Sequence, residues 1–329
     1  MVSGQHDEVI VVGGGVIGLT TAVVLAERGR DVRLWTRDAP GRTTSAVAGA
    51  LWWPYRIEPL ASVHAWALRS LDVYEELAAR DAGSGVRMAE GVLGATHPDE
   101  LRAWAGDRLA LRESGPDEYP GPGTWARLPL IDMRTHLAWL RERLTAAGGT
   151  VEERSVSPGF GEADAPVVVN CTGLAARTLV PDPGVRPVRG QLVVVANPGL
   201  RTWLVAGDDG GADKTYLFPH GDRLLLGGTA VDGVWSTAPD PVVAAAIVRR
   251  CAALRPEIAG ARVLEHRVGL RPVRDAVRLA GESLPGGRLL VHNYGHGGAG
   301  VTVAWGCAEE AAGLAEGRTP PGPAESHPS

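Results

Sequence analysis

Lysine is nearly absent from this chain of 329 residues: Lys214 is the only one beside the arginines that make up its 33 basic residues. With a net charge of −5 and no long basic run, the chain carries no electrostatic footprint for nucleic acid. Cysteine is scarce as well. Cys171, Cys251 and Cys307 are odd in number, widely spaced and free of metal-ligand spacing, which excludes a disulfide framework and a metal site of the usual kinds. Three buried, reduced thiols are expected instead. No stretch approaches the roughly 20 apolar residues needed to span a bilayer. Residues 1–7 offer no basic region ahead of an apolar core, so no secretory signal is read there. No segment is repeated. These absences lead to the expectation of a soluble, cytoplasmic protein of ordinary composition, 44% apolar and 22% charged. It is long enough for one large or two intertwined domains with real cores. The shortage of lysine beside abundant Ala, Gly and Arg reads as the coding bias of a GC-rich bacterial genome and bears on no mechanism.

What the chain does have is concentrated at its two ends. Leu289 to His292 is an apolar run, and Gly295, Gly297, Gly298 and Gly300 follow within six positions, ahead of an alanine-rich helical pattern from Trp305 to Leu314. Glycines so dense let the backbone approach a ligand closely. The helix behind them aims its free N–H groups and positive dipole end at the same place. A flat, electron-accepting ring gripped by main chain suits this segment better than a turn, which needs only two glycines. At the other end, Glu8 to Val12 reads as a buried parallel strand. Gly13-Gly14-Gly15-Val16-Ile17-Gly18 fits G-x-G-x-x-G, Leu19 to Arg28 continues as a helix, and Asp31 to Trp35 is a second strand. The first glycine permits the turn, the second lets backbone reach a pyrophosphate, and the third lets helix pack on strand. Strand, helix and second strand are all in place, which favours dinucleotide binding over an ordinary βαβ unit.

Between the ends, helices are expected over about Ser62–Arg80, Asp132–Ala147 and Pro239–Leu254, the second capped by Asp132. Strands are expected over Thr150–Val156, Pro166–Val169, Arg189–Ala196 and Arg262–Leu270. A hairpin is expected from Tyr216–Pro219 and Arg223–Gly228 about a turn at 220–222. The stretch from Val86 to Leu128 reads as strands and loops. The fold expected is α/β: a Rossmann-like domain built from discontinuous segments (1–56, 130–180, 262–318) and a β-rich substrate domain (57–129, 181–261). A disordered tail (319–329) is expected after them.

With both glycine segments placed, the sequence resembles the D-amino acid oxidase family of FAD enzymes from about Val9 to Leu314. The most specific part is Val291-His292-Asn293-Tyr294-Gly295-His296-Gly297-Gly298-Ala299-Gly300, which is similar to the family signature. Gly13 to Gly18, Thr43-Thr44-Ser45, Ala48 to Trp52, Asn170 to Gly173, Arg189-Gly190-Gln191 and Gly269 to Pro272 add matches in the same order. The resemblance implies non-covalent FAD and a D-amino acid oxidised to an imino acid, which then hydrolyses to a 2-oxo acid and ammonia. Reoxidation by oxygen gives hydrogen peroxide. It places the pyrophosphate at Gly13, Gly15, Val16, Ile17 and Gly18, and the phosphate and ribitol region at Thr43, Thr44 and Ser45. Gly49, Ala50 and Leu51 pass near the ring, Val156 and Thr172 make further cofactor contacts, and Gly297, Gly298, Gly300, Val301 and Thr302 wrap the ring's other side. Arg37 or Asp38 meets the ribose, the order of the two leaving open which. Arg271, also within reach of the cofactor, and Tyr216 would bind the substrate carboxylate. The Gly298 carbonyl would accept from the amino group, and Trp53, Tyr55 and Phe218 would line the side-chain pocket. Hydride transfer needs an aligned C–H bond rather than a side-chain base, so no residue is assigned as acid or base and His296 is read as a backbone contact. A homodimer is compatible with this reading.

Two departures from the family pattern stand out. A second tyrosine that many members carry on a mobile lid corresponds to Ala212, in a shortened loop, which implies a more open site. The arginine that related D-aspartate oxidases carry after Gly-Gly-Thr is replaced by Ala230, with Lys214 the one substitute cation, which implies neutral substrates. The rival readings are a glycine or sarcosine oxidase, a D-aspartate-type enzyme, a nicotinamide dehydrogenase using the N-terminal unit alone, and a non-catalytic flavin-binding protein.

Overall fold

The computed structural model describes residues 7–54, 57–207 and 214–318. The expectations for Tyr55, for the loop around Ala212 and for a 319–329 tail concern residues outside these.

The chain opens with β1 (Glu8–Val12), α1 (Val16–Glu27) and β2 (Asp31–Thr36). A short α2 (Thr44–Val47) and a long α3 (Leu60–Arg80) lead to β3 (Val86–Gly94), α4 (Pro98–Ala105), β4 (Leu111–Glu113) and β5 (Gly123–Ile131). Next come α5 (Met133–Ala146), β6 (Thr150–Glu153), β7 (Val167–Asn170) and α6 (Ala176–Leu179). Five strands follow: β8 (Arg186–Ala196), β9 (Trp203–Ala206), β10 (Thr215–His220), β11 (Arg223–Gly227) and β12 (Val231–Asp232). The chain ends with α7 (Pro241–Leu254), β13 (Val263–Ser283), β14 (Leu289–His296) and α8 (Gly300–Ala315).

Among the described residues the strands join one sheet in the order β4-β5-β3-β9-β10-β11-β8-β13-β14-β7-β1-β2-β6, with β12 added on β8. One end, β14-β7-β1-β2-β6, is parallel. Its central strands β1 and β7 are nearly continuous apolar runs, as burial on both faces requires, and α1, α3, α5 and α8 cover it with the largest hydrophobic core. The other end is mostly antiparallel. Strand β13 belongs to both. Its first half pairs with β8 from Val263 to Val273, and its second half pairs with β14 from Val273 to Ser283. The expected α/β class is what the structure shows. The strand expected over Arg262–Leu270 runs on to Ser283, because Pro272 stands opposite Pro187 where the β8 ladder is ending and β14 takes over as partner. The helix expected from Trp305 begins at Gly300, and α4, with its His97 cap and capping box, appears where strands and loops were read.

Asp132 does cap α5, accepting from the Arg134 and Thr135 N–H groups. Gly306 explains how α8 can lie against α3: a Cβ there would overlap the Trp66 backbone. The three cysteines are buried and free, and no described helix is long and apolar enough to cross a membrane.

Candidate active site

A cavity of about 870 Å³ runs along the C-terminal edge of the parallel strands and continues along β8 and β10. Helices α1 and α8 both begin on it, through Gly15, Val16 and Ile17 and through Gly300 and Val301. Each presents first-turn N–H groups that have no partner within their own helix. The sequence dictates this placement. Gly13 takes φ +125°, and a Cβ there would overlap the Cys171 carbonyl; one on Gly14 would overlap Thr36. Gly18 does not line the cavity but sits against the Gly13 carbonyl, the helix-to-strand packing read for the third glycine and not the pyrophosphate contact that the resemblance implied.

Ser45 faces the α1 terminus, its Oγ accepting from the Val16 N–H at 3.0 Å. Thr43 and Thr44 line the cavity beside it, and Thr44 donates to the Leu270 carbonyl. Gly49, Ala50, Leu51, Val156 and Thr172 also line it. Thr172 is oriented by Asn170, whose Oδ1 accepts from both its N–H (3.2 Å) and its hydroxyl (2.7 Å). At the end of β2, Arg37 and Asp38 both reach the cavity and bind each other at 2.8 Å. Thr302 lines the cavity, but its hydroxyl donates to the Trp53 carbonyl at 2.8 Å and accepts from the Trp53 N–H at 3.2 Å. Its side chain therefore ties the 49–53 segment to α8.

The signature segment gains a physical account from its side chains. His292, Asn293, Tyr294 and His296 are all nearly inaccessible. His292 joins Asn170 to Glu282, and Asn293 donates to the Thr21 hydroxyl at 3.2 Å. Tyr294 donates to Asp182 at 2.8 Å, and Arg274 donates to the same carboxylate oxygen at 2.9 Å. Burial pushes the Tyr294 hydroxyl up to about 12. Three buried polar side chains, His292, Asn293 and Tyr294, thus lock the strand that delivers Gly297, Gly298 and Gly300 to the cavity. His296 lines it too, with burial holding its imidazole down to about 3.

At the opposite end side chains dominate. Arg271, on β13, lines the cavity and donates from Nη1 to the Thr229 carbonyl at 2.9 Å. Among the described residues no carboxylate lies within ion-pair reach of it. Gly190 makes room for this group, since a Cβ there would overlap the guanidinium. Arg189 and Gln191 on either side hold the 236–240 segment, through the Ser236 carbonyl (3.0 Å), the Ala238 carbonyl (2.7 Å) and the backbone of Asp240 (2.8 and 3.0 Å). That segment brings Trp235 and Thr237 to the cavity rim. Tyr216 fits against Gly227 and Gly228 and stacks on Phe218 with centroids 4.7 Å apart. Gly49 clears the Phe218 ring, which an added Cβ would meet at 2.7 Å. Trp53 and Phe218 line the cavity as expected, and Ala230 and Lys214 do as well. Arg154, Arg177 and Trp235 were not singled out from the sequence, where isolated basic residues and a loop tryptophan carry no motif.

Residues 8–314 match the family described as FAD dependent oxidoreductase. The chain is 74% identical over 312 residues to a D-amino-acid oxidase of Streptomyces coelicolor, covering 94% of this chain and 97% of that one. It belongs to the FAD-dependent D-amino acid oxidase family. A D-aspartate oxidase of Homo sapiens is 33% identical over 329 residues, covering 93% of this chain and 94% of that one. Among solved structures, a glycine oxidase from Bacillus cereus superposes with a TM-score of 0.78 at 19% identity, over 94% of this chain and 95% of that one. That likeness shows the fold alone.

The cavity suits the family's cofactor. Two helix N-termini, hydroxyls at Thr43, Ser45 and Thr172, and a glycine-lined wall match a diphosphate and a flat ring held by main chain. Gly13–Ile17 would hold the pyrophosphate, and Gly49–Leu51 with Gly297–Val301 the ring system.

Proposed function

We propose that this protein oxidises neutral, apolar D-amino acids to 2-oxo acids with release of ammonia and hydrogen peroxide. The parallel end of the sheet would hold the cofactor and the antiparallel end the substrate, with β13 crossing between them. The observation that carries the reading is the Arg271 guanidinium, which lines the cavity with no carboxylate partner among the described residues. Its remaining N–H groups suit the two parallel, charge-assisted bonds of an α-carboxylate. Tyr216 lies against Gly228, next to the Thr229 that Arg271 holds, so its hydroxyl can donate to the same carboxylate. The Gly298 carbonyl accepts from the substrate amino group.

The family cofactor supplies an electron-accepting ring for the hydride leaving the α-carbon, and oxygen restores it. The chain's part is alignment. Asp38 is the one carboxylate among the described lining residues, and it stands at the ribose end, bound to Arg37. In this reading no side chain takes the α-proton. First-turn N–H groups of α8, which begins on the cavity at Gly300, would stabilise negative charge on a ring held there.

Trp53, Phe218 and the half-exposed Trp235 favour apolar side chains, and Ala230 adds no charge. Lys214 supports a second reading, acidic D-amino acids, because it also lines the cavity. Anaerobic mixing with D-methionine and with L-methionine tests the main reading: the visible flavin band should bleach with the D form alone. Bleaching by glycine or sarcosine and not by D-methionine would defeat it. A higher kcat/KM for D-aspartate than for D-methionine would select the Lys214 reading.

A further inference from the structure

Two guanidinium groups flank the indole of Trp35, and they differ in what else holds them. The Arg33 guanidinium stands 5.6 Å from the ring centroid and is fixed by Glu8 (2.7 Å) and Asp164 (2.6 Å). Arg33 does not line the cavity. Arg154 stands closer, at 4.1 Å, lines the cavity, and has no carboxylate within ion-pair reach among the described residues. Its backbone is anchored where β6 ends, the Arg154 N–H donating to the Thr36 carbonyl at 2.8 Å. That places it beside Arg37 and Asp38, at the far end of the cavity from Arg271 and past the pyrophosphate glycines. Arg37 is turned onto Asp38 by two bonds, at 2.9 and 2.8 Å.

We infer that Arg154 is the platform for the adenine ring of FAD, its guanidinium sandwiched between Trp35 and the base. A guanidinium is planar and weakly hydrated, and it stacks on aromatic faces where an ammonium cannot. One face already rests on Trp35, a cation–π contact that orients the group and leaves the other face toward the cavity. Because the group is held before the base arrives, less ordering is needed on binding. The ring and pyrophosphate would be held largely by main chain with hydroxyls of Thr43, Ser45 and Thr172, whereas the adenine would rest on this one side chain. The inference rests on FAD being the cofactor.

FAD and FMN share the ring and one phosphate, and only FAD carries adenine. Full-length protein stripped of flavin by dialysis is titrated with each, following tryptophan and flavin fluorescence. R154A should weaken FAD binding about tenfold, the scale of a stacked guanidinium, and leave FMN binding within about twofold of wild type. R154K, which keeps the charge and loses the plane, should fall on the alanine side. The flavin-free thermal midpoint should stay put in both, since the group is exposed. Unchanged FAD binding in R154A, equal losses for FAD and FMN, or wild-type affinity in R154K would each overturn the inference alone. A wild-type chain that takes up neither flavin would overturn the cofactor assignment with it.

Discussion

The two ends of the cavity are built by opposite means. The pyrophosphate end is backbone: Gly13 and Gly14 leave no room for any side chain, and their nearest neighbours are the Cys171 carbonyl and the Thr36 side chain. The substrate end is side chains: Arg271, Tyr216 and Phe218 occupy spaces that Gly190, Gly227, Gly228 and Gly49 leave open. Glycine serves both ends, for different reasons. At the first it admits the turn and the close approach of neighbouring backbone; at the second it admits the protein's own functional groups. A backbone site fails when the fold is disturbed, whereas a side-chain site can lose function with its fold intact.

The sharpest break in that comparison is R271M. It removes the paired bonds to the carboxylate and leaves the glycine end untouched. kcat/KM for D-methionine should fall by about three orders of magnitude, on the order of 4 kcal/mol of transition-state binding, while flavin content stays at wild-type level. A loss below tenfold, or parallel loss of flavin, would remove Arg271 from the substrate site.

The same substitution at both ends comes next. In G13A the new Cβ meets the Cys171 carbonyl, backbone that cannot yield, at a φ of +125°. A stability loss of about 3 kcal/mol or more, seen as a lower thermal midpoint, is expected together with weak flavin retention. In G190A the Cβ meets the end of the Arg271 side chain, which can swing away. The thermal midpoint should move little while KM for D-methionine rises about 20-fold, a displaced carboxylate anchor being worth roughly 2 kcal/mol. If both variants lost stability alike, the distinction between the two ends would be wrong.

How far the sequence could be read follows the same division. The glycine end is local: one strand, one turn and one helix lie within 21 residues, Glu8–Arg28, so spacing alone reveals them. Gly18 packs the helix on the strand, as the motif's third glycine is read to do, and only the pyrophosphate contact that the resemblance added for it finds no place on the cavity wall. Arg271 and Tyr216 were reached through resemblance. Arg189-Gly190-Gln191 matched the family pattern, but its purpose is visible only once β8 is seen beside β13, 80 residues later, with Gly190 opposite Gly269. The length of β13 was missed because a proline ordinarily ends a ladder, and this one sits at a change of partner. Arg154 had no signal at all, since its meaning depends on a Trp35 ring contributed by the neighbouring strand.

Acid should probe the glycine end through His296. His136 and His296 are fully enclosed, and burial holds them down to about 4 and about 3. An unfolded chain protonates such groups near about 6.5. Above that value their neutral burial carries no penalty. As pH falls below it, the unfolded state takes up protons that the folded state refuses, so stability is lost until the folded values are reached. Each histidine contributes a slope of up to about 1.4 kcal/mol per pH unit. The thermal midpoint should therefore drop between pH 7 and pH 4.5, and H136Q, at a position that does not line the cavity, should flatten the drop without changing flavin retention at pH 7. An unaltered slope in H136Q would mean that other groups set the acid limit.

The smallest effect is expected where the substrate end has most support. Y216F keeps the ring that stacks on Phe218 and fills the space beside Gly227 and Gly228, so folding and flavin content should match wild type. It removes one hydroxyl from a carboxylate that Arg271 still holds. A lost bond to a charged group costs about 1.5 kcal/mol when its partner can turn to solvent or to Arg271, which predicts about a tenfold rise in KM with kcat changed less than threefold. Combining Y216F with R271M separates partnership from coincidence. If both groups bind one carboxylate, removing the hydroxyl after the guanidinium should cost much less than tenfold, because there is no positioned carboxylate left to lose. Full additivity would place Tyr216 on some other part of the substrate and leave Arg271 as the sole anchor.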